Sequence, residues 1–127
     1  MYELLVRSNF SAAHRLVNYQ GKCENLHGHN WKVELKVSSA KLNSQGMLID
    51  FKEMKQKLNR VLAALDHSCL NDLAYFKKRN TTSEHIARYI YLELSGLIRK
   101  KKVMIKRVTV WETDTSSATY RPNNLTV

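Results

Sequence analysis

Cysteine is scarce: the 127 residues contain only Cys23 and Cys69. Two thiols cannot build a disulfide framework, so the chain must rely on its own core, and the pair reads as free thiols of a reducing compartment. Long apolar runs are missing as well. No stretch approaches the ~20 residues that span a bilayer, and the N-terminus lacks the basic start, apolar stretch and small-residue cleavage site of a secretory signal. These absences point to a soluble, cytoplasmic protein without membrane association. Repeats, linkers and low-complexity segments are also lacking. The length suits a single domain, 1–127, able to bury roughly two-thirds of its unfolded surface.

Acidic residues are in short supply, 11 against 21 lysines and arginines, which leaves a net charge of +10 and an isoelectric point near 9.8. Such a surface attracts anions, so phosphorylated small molecules and nucleic acids are the ligand classes that follow. Much of the excess sits in the runs Lys77-Lys78-Arg79 and Arg99-Lys100-Lys101-Lys102, which equally suit solvated helix ends and loops. A nucleic-acid-binding module is disfavoured. No familiar motif for it is present, and the aromatics are not interleaved with basic residues as a stacking platform requires.

What the chain does have is periodicity. Tyr2, Leu4, Val6 and Phe10 share one parity against Glu3, Arg7 and Asn9, and Trp31, Val33, Leu35 and Val37 alternate strictly with Lys32, Glu34 and Lys36; both patterns predict half-buried strands. Asn43, Ser44 and Gly46 predict a turn. From Asp50 the period lengthens: Phe51, Met54, Leu58, Val61, Leu62 and Leu65 recur at helical steps, with Asp50 and Glu53 as a capping box. A second helix is expected from near Thr81, with Glu84 in the capping-box position and Ile86, Ile90, Leu94, Leu97 and Ile98 on its apolar stripe. Residues 103–112 and 117–120 return to strand character. The order β-β-α-α-β-β predicts an α+β domain, an antiparallel four-stranded sheet with both helices on one face. Its unpaired edges predict association between copies of the chain.

Chemistry-bearing residues cluster at the strand ends. His27 and His29 share the parity of Trp31, so their side chains point to the covered face about 7 Å apart, within reach of one metal ion. His14, after the first strand, is the natural third ligand if the two strands are neighbours. An H-x-H pair alone is equally an ordinary pair of histidines near a strand end. Three neutral imidazoles suit zinc better than magnesium or calcium and leave a position open, unlike a closed structural site with four protein ligands. Cys23, four residues before His27, is a candidate base or nucleophile; Cys69, among apolar neighbours, reads as an inert small hydrophobe. Asp66-His67 suits either a proton relay or a histidine stabilised by the end of the first helix. Glu112 follows Val108 and Val110 on an apolar parity, where a carboxylate needs a ligand or partner.

Taken in order, these residues fall within longer blocks. Phe10-Ser11-Ala12-Ala13-His14-Arg15, Cys23-Glu24-Asn25-Leu26-His27-Gly28-His29, Ile49-Asp50-Phe51, Leu65-Asp66-His67 with Leu70-Asn71-Asp72, Thr82-Ser83-Glu84 and Glu112-Thr113 resemble the family of 6-pyruvoyl-tetrahydropterin synthase and bacterial 6-carboxytetrahydropterin synthase. The resemblance implies the tunnelling fold, in which such units associate into barrels, commonly a hexamer built from two trimers, with active sites between subunits. It implies a zinc ion held by His14, His27 and His29, Cys23 as proton acceptor, and a relay of Asp66 and His67 contributed by a neighbouring subunit. Glu112 would anchor the pterin, with Glu84, Thr82 and Ser83 as further substrate contacts. The implied substrate is 7,8-dihydroneopterin triphosphate, converted by a lyase to 6-pyruvoyl-tetrahydropterin or, with loss of acetaldehyde, to 6-carboxy-5,6,7,8-tetrahydropterin on the way to queuosine. Glu24 resembles the base of a variant that cleaves dihydroneopterin-type substrates to a 6-hydroxymethyl pterin for folate synthesis. It is equally read as a solvent-facing loop residue.

Overall fold

Strand alternation in the first third of the chain becomes a pair of thirteen-residue strands, β1 (Tyr2–His14) and β2 (His27–Ser39). The computed structural model describes residues 1–99 and 102–123; Lys100 and Lys101 of the second basic run lie outside them. β1 and β2 are antiparallel and stay in register from Tyr2 opposite Ser39 to His14 opposite His27. Both are longer than their apolar alternation, because the paired ends carry alanines, glycine and histidines that a hydrophobicity pattern does not mark.

After β2 come helix α1 (Phe51–Ala63), the two-residue strand β3 (Ser68–Cys69), two short 3₁₀ turns, helix α2 (Ser83–Leu97) and strands β4 (Met104–Thr113) and β5 (Ser116–Tyr120). The sheet runs β3-β1-β2-β4-β5. It is therefore five-stranded and mixed rather than four-stranded and antiparallel, since β3 pairs parallel to Ala12–Ala13. Two residues are too few to show an alternation. The contact is made instead by an edge of β1: His67 N–H donates to Ser11 O at 2.6 Å, and Ser11 N–H donates to Asp66 Oδ1 at 2.8 Å.

Both helices cover one face. Val6, Phe10, Trp31, Val33, Leu35, Val108 and Val110 are buried there against Met54, Leu58, Val61 and Leu62 of α1 and Ile86, Ala87, Ile90 and Leu94 of α2. In β4 the buried parity changes between Ile105 and Val108, where a bulge opposite Lys36 and Val37 shifts the register. The other face is polar. Glu34 lies between Arg7 and Arg107 at 3.2 Å from each, and Lys32 pairs with Asp114 at 2.8 Å. Among the described residues no helix is long and apolar enough to cross a membrane.

The helix ends depart from expectation in two places. α1 is capped by Asp50, which accepts from Lys52 N–H at 2.8 Å, but it stops at Ala63, so Asp66 and His67 lie beyond its last turn and His67 turns with φ of 56°. Asp66 N–H still donates to Leu62 O at 2.9 Å, so the two residues close the helix and both explanations of His67 stand. α2 is capped by Thr82, whose hydroxyl accepts from His85 N–H at 3.2 Å. That moves the third helical position from Glu84 to His85, and the capping-box explanation of Glu84 falls with it. Leu35, buried completely at the centre of the core, tests the packing: Leu35→Ala should cost about 2–5 kcal/mol, read as a lowered urea midpoint.

Candidate metal centre

Register builds the site. With Ala12 opposite His29 and His14 opposite His27, the inward parity that buries Phe10 and Trp31 continues to the strand ends and delivers three imidazoles to the same face. Their ring centroids lie 4.7 Å (His14 and His27), 4.8 Å (His27 and His29) and 5.2 Å (His14 and His29) apart, all edge to face. Glu112 extends the inward parity of Val108 and Val110 on β4 and completes the group: one donor atom from each of the four residues lies within 4.8 Å of the others.

The imidazoles are oriented from behind. His14 Nδ1 bonds Thr81 O and His27 Nδ1 bonds Asn25 O, each at 2.8 Å; carbonyls only accept, so both Nδ1 atoms carry hydrogen and the Nε2 lone pairs face the cluster in the neutral rings. Glu112 Oε1 is 3.0 Å from His29 Nε2 and 3.6 Å from His14 Nε2. Even so, neither of these nitrogens has a hydrogen-bond partner among the described residues although both are buried. Buried polar atoms without partners are rare and costly, and a metal cation supplies what these lack. Three nitrogens and one oxygen around a single point therefore fit a metal ion.

Electrostatics favours the same state. Burial pushes the His14 pKa below its ordinary value and the nearby His27 adds to this, against the opposing effects of the Thr81 carbonyl and Glu112. His14 is thereby held neutral, as a metal ligand must be. Glu112, expected on parity to need a ligand or partner, sits at the strand end with its side chain 35% exposed and its carboxylate beside the imidazole Nε2 atoms.

The remaining candidates lie around this cluster. Asp66 and His67 are paired, Oδ2 to Nδ1, at 3.0 Å, and the Ser11 amide, then His67, hold the Asp66 carboxyl below the usual carboxylate range. His67 is 83% exposed and lines a groove with Ser11, Ala13, Gly28, His29 and Asn30 rather than joining the four donors. Cys23 is exposed and Cys69 half-buried. Glu24 lies in the loop, half-buried, and its Oε1 accepts from Leu16 N–H at 3.1 Å. Glu84 is exposed, Ser83 is half-buried on the first turn of α2, and the Thr82 hydroxyl serves as the cap.

Three contributors were not marked by the sequence. Thr81 and Asn25 act through carbonyl oxygens, which no side-chain pattern reveals. Trp31 is the floor, completely buried and edge to face with His14 at 5.0 Å and His29 at 5.1 Å. Its place two residues after His29 on the same parity was the available signal, and it reads only as core.

The sequence model for 6-pyruvoyl tetrahydropterin synthase matches residues 3–123. The chain belongs to this family. A 6-carboxy-5,6,7,8-tetrahydropterin synthase of Synechocystis is 35% identical over 127 residues, covering 94% of this chain and 93% of that protein. Among solved structures, the Caenorhabditis elegans 6-pyruvoyl tetrahydropterin synthase superposes with a TM-score of 0.84 at 30% identity, covering 95% of each chain. A Plasmodium vivax 6-pyruvoyltetrahydropterin synthase, substituted at a glutamate described as catalytic, superposes with a TM-score of 0.78 at 26% identity, covering 96% of this chain and 98% of that one. Family membership makes this protein a pterin synthase, and an enzyme.

His14 gives a pH prediction for the metal-free protein. Its folded pKa lies below the ordinary 6.5, so the unfolded chain binds the proton more readily. The stability that His14 contributes is complete above about pH 6.5 and is lost as pH falls toward its folded value. Urea midpoints measured from about pH 7.5 down to 5 should decline, and His14→Gln, which cannot titrate, should flatten part of that decline.

Proposed function

We propose that this enzyme is a zinc-dependent lyase of 7,8-dihydroneopterin triphosphate, forming 6-carboxy-5,6,7,8-tetrahydropterin with triphosphate and acetaldehyde, or 6-pyruvoyl-tetrahydropterin. The observation that carries the reading is the trio of edge-to-face imidazoles with two buried, unpartnered Nε2 atoms. Nitrogen donors with one carboxylate suit zinc in preference to magnesium or calcium. His14, His27 and His29 would hold the ion. Zinc bound there would act as a Lewis acid toward the side-chain hydroxyls of the substrate.

The protein groups divide the remaining work. Cys23, exposed on the loop before His27, accepts the proton from the substrate side chain as the thiolate. His67 moves a second proton, its ring held by the Asp66 carboxylate at 3.0 Å. Glu112, 35% exposed at the end of β4, would bind the amino and N–H edge of the pterin and hold the ring beside the metal site. Glu84, Thr82 and Ser83 contact substrate from the start of α2, and the positive balance of the chain favours the triphosphate tail.

Because His67 lies on the groove side of β1 and Cys23 in an exposed loop, a complete site calls for a second copy, in a homo-oligomer closed into barrels as a dimer of trimers. We assign the chain as one domain, working in the cytoplasm, without nucleic-acid or membrane partners.

The test is product identification. Zinc-loaded protein incubated with 7,8-dihydroneopterin triphosphate should release triphosphate, and acetaldehyde in the carboxy branch, with the pterin product identified by mass spectrometry. A 6-hydroxymethyl pterin would instead assign folate-type cleavage, and no turnover would remove the reading. Cys23→Ala should lower kcat by about 10²- to 10⁴-fold, whereas His27→Ala should abolish zinc binding by equilibrium dialysis.

A further inference from the structure

The chain leaving β1 passes from His14 through three residues whose backbone groups are all held. Arg15 N–H donates to Asn71 Oδ1 at 3.0 Å, and Asn71 Nδ2 donates back to Arg15 O at 2.9 Å. Asn80 grips Val17 the same way, at 2.8 Å and 2.9 Å. Thr81 Oγ1 adds a bond to Arg15 O at 3.0 Å. Leu16, between them, is held by Glu24: its N–H donates to Glu24 Oε1 at 3.1 Å, and Glu24 N–H donates to Leu16 O at 3.0 Å.

The Glu24 clasp closes a loop at its base. Inside it, Asn18, Gln20 and Gly21 take positive φ and Tyr19 bridges Lys22, a tight reversal with few contacts of its own. Cys23 is next to the clasp, His27 is three residues beyond it, and His14 is two residues before Leu16. Holding Leu16 to Glu24 therefore ties the backbone beside Cys23 to the chain just after His14. A carboxylate accepting from an amide makes a charge-assisted bond.

We propose that Glu24 is a positioning residue: one oxygen of its carboxylate closes the loop that carries Cys23, a role distinct from that of a base. The catalytic consequence rests on the pterin reading above, while the clasp does not.

Glu24→Gln separates the two roles, since a glutamine keeps an oxygen for the Leu16 amide but cannot act as a carboxylate base; Glu24→Ala removes both. Three readouts are taken: hydrogen exchange at Leu16, alkylation of Cys23 by iodoacetamide followed on its peptide, and pH-dependent turnover of 7,8-dihydroneopterin triphosphate. Positioning predicts that Glu24→Gln keeps Leu16 protection, kcat within about threefold of wild type and an unchanged pH profile. Glu24→Ala should speed Leu16 exchange by about tenfold or more, alter the Cys23 alkylation rate and lower kcat. The proposal is overturned if Glu24→Gln loses turnover as fully as Glu24→Ala while Leu16 stays protected, or if Glu24→Ala leaves both exchange and alkylation unchanged. Should wild type turn over no pterin, the functional reading fails, and exchange and alkylation still decide the clasp.

Discussion

Everything at the metal centre depends on one ladder holding its register, the antiparallel pairing of β1 with β2 along all thirteen positions. Side chains alternate across a sheet, so a slip of one residue would send His27 and His29 to the polar face and leave His14 alone. The core prevents that slip. Phe10 opposite Trp31 and Val6 opposite Leu35 are buried on the same face as the ligands, and moving them into water would cost several kcal/mol at about 1.5–3 kcal/mol per large apolar side chain. The apolar middle of the strands thus fixes their polar ends. The interaction that makes the core also aims the imidazoles.

This coupling explains what could be read from the residues alone. Trp31, Val33, Leu35 and Val37 declare the buried parity, and counting back by two reaches His29 and His27. Val108 and Val110 do the same for Glu112. The helices were legible from their three- and four-residue steps, and Asp50 marked the first N-cap. Contacts between distant residues were not legible. β3 has two residues and exists because Asp66 and His67 fit the amide and carbonyl of Ser11. Thr81 and Thr82 are equally good caps by residue type, and the choice was made in the fold, where the Thr81 hydroxyl bonds Arg15 O instead. The exposure of Glu112 followed from its place at the end of β4, which parity does not encode.

Polar side chains do the work between the sheet and the loops. Asn71, Asn80 and Thr81 come from the connection between the helices, yet they bond the chain just after His14. The carbonyl of Thr81 orients the His14 ring while its hydroxyl holds Arg15. One residue thereby ties the start of α2 to a candidate ligand and to the segment beyond it. Such bonds contribute modestly to net stability, about 1 kcal/mol each, but an unsatisfied buried partner is more costly, which makes the arrangement selective. Their value is geometric: they hold non-repetitive backbone as firmly as a strand holds its own.

The ends of β1 then account for how the site is divided. Ala12 and His14 face the helices and the imidazole cluster, while Ser11 offers its amide and carbonyl along the edge to Asp66 and His67. The candidate metal centre and the Asp66–His67 pair are therefore fixed to the same four residues of one strand. The desolvated side keeps His14 neutral, and the Ser11 amide keeps Asp66 ionised. These opposite demands on protonation are met within four residues because a strand separates its faces and its edge.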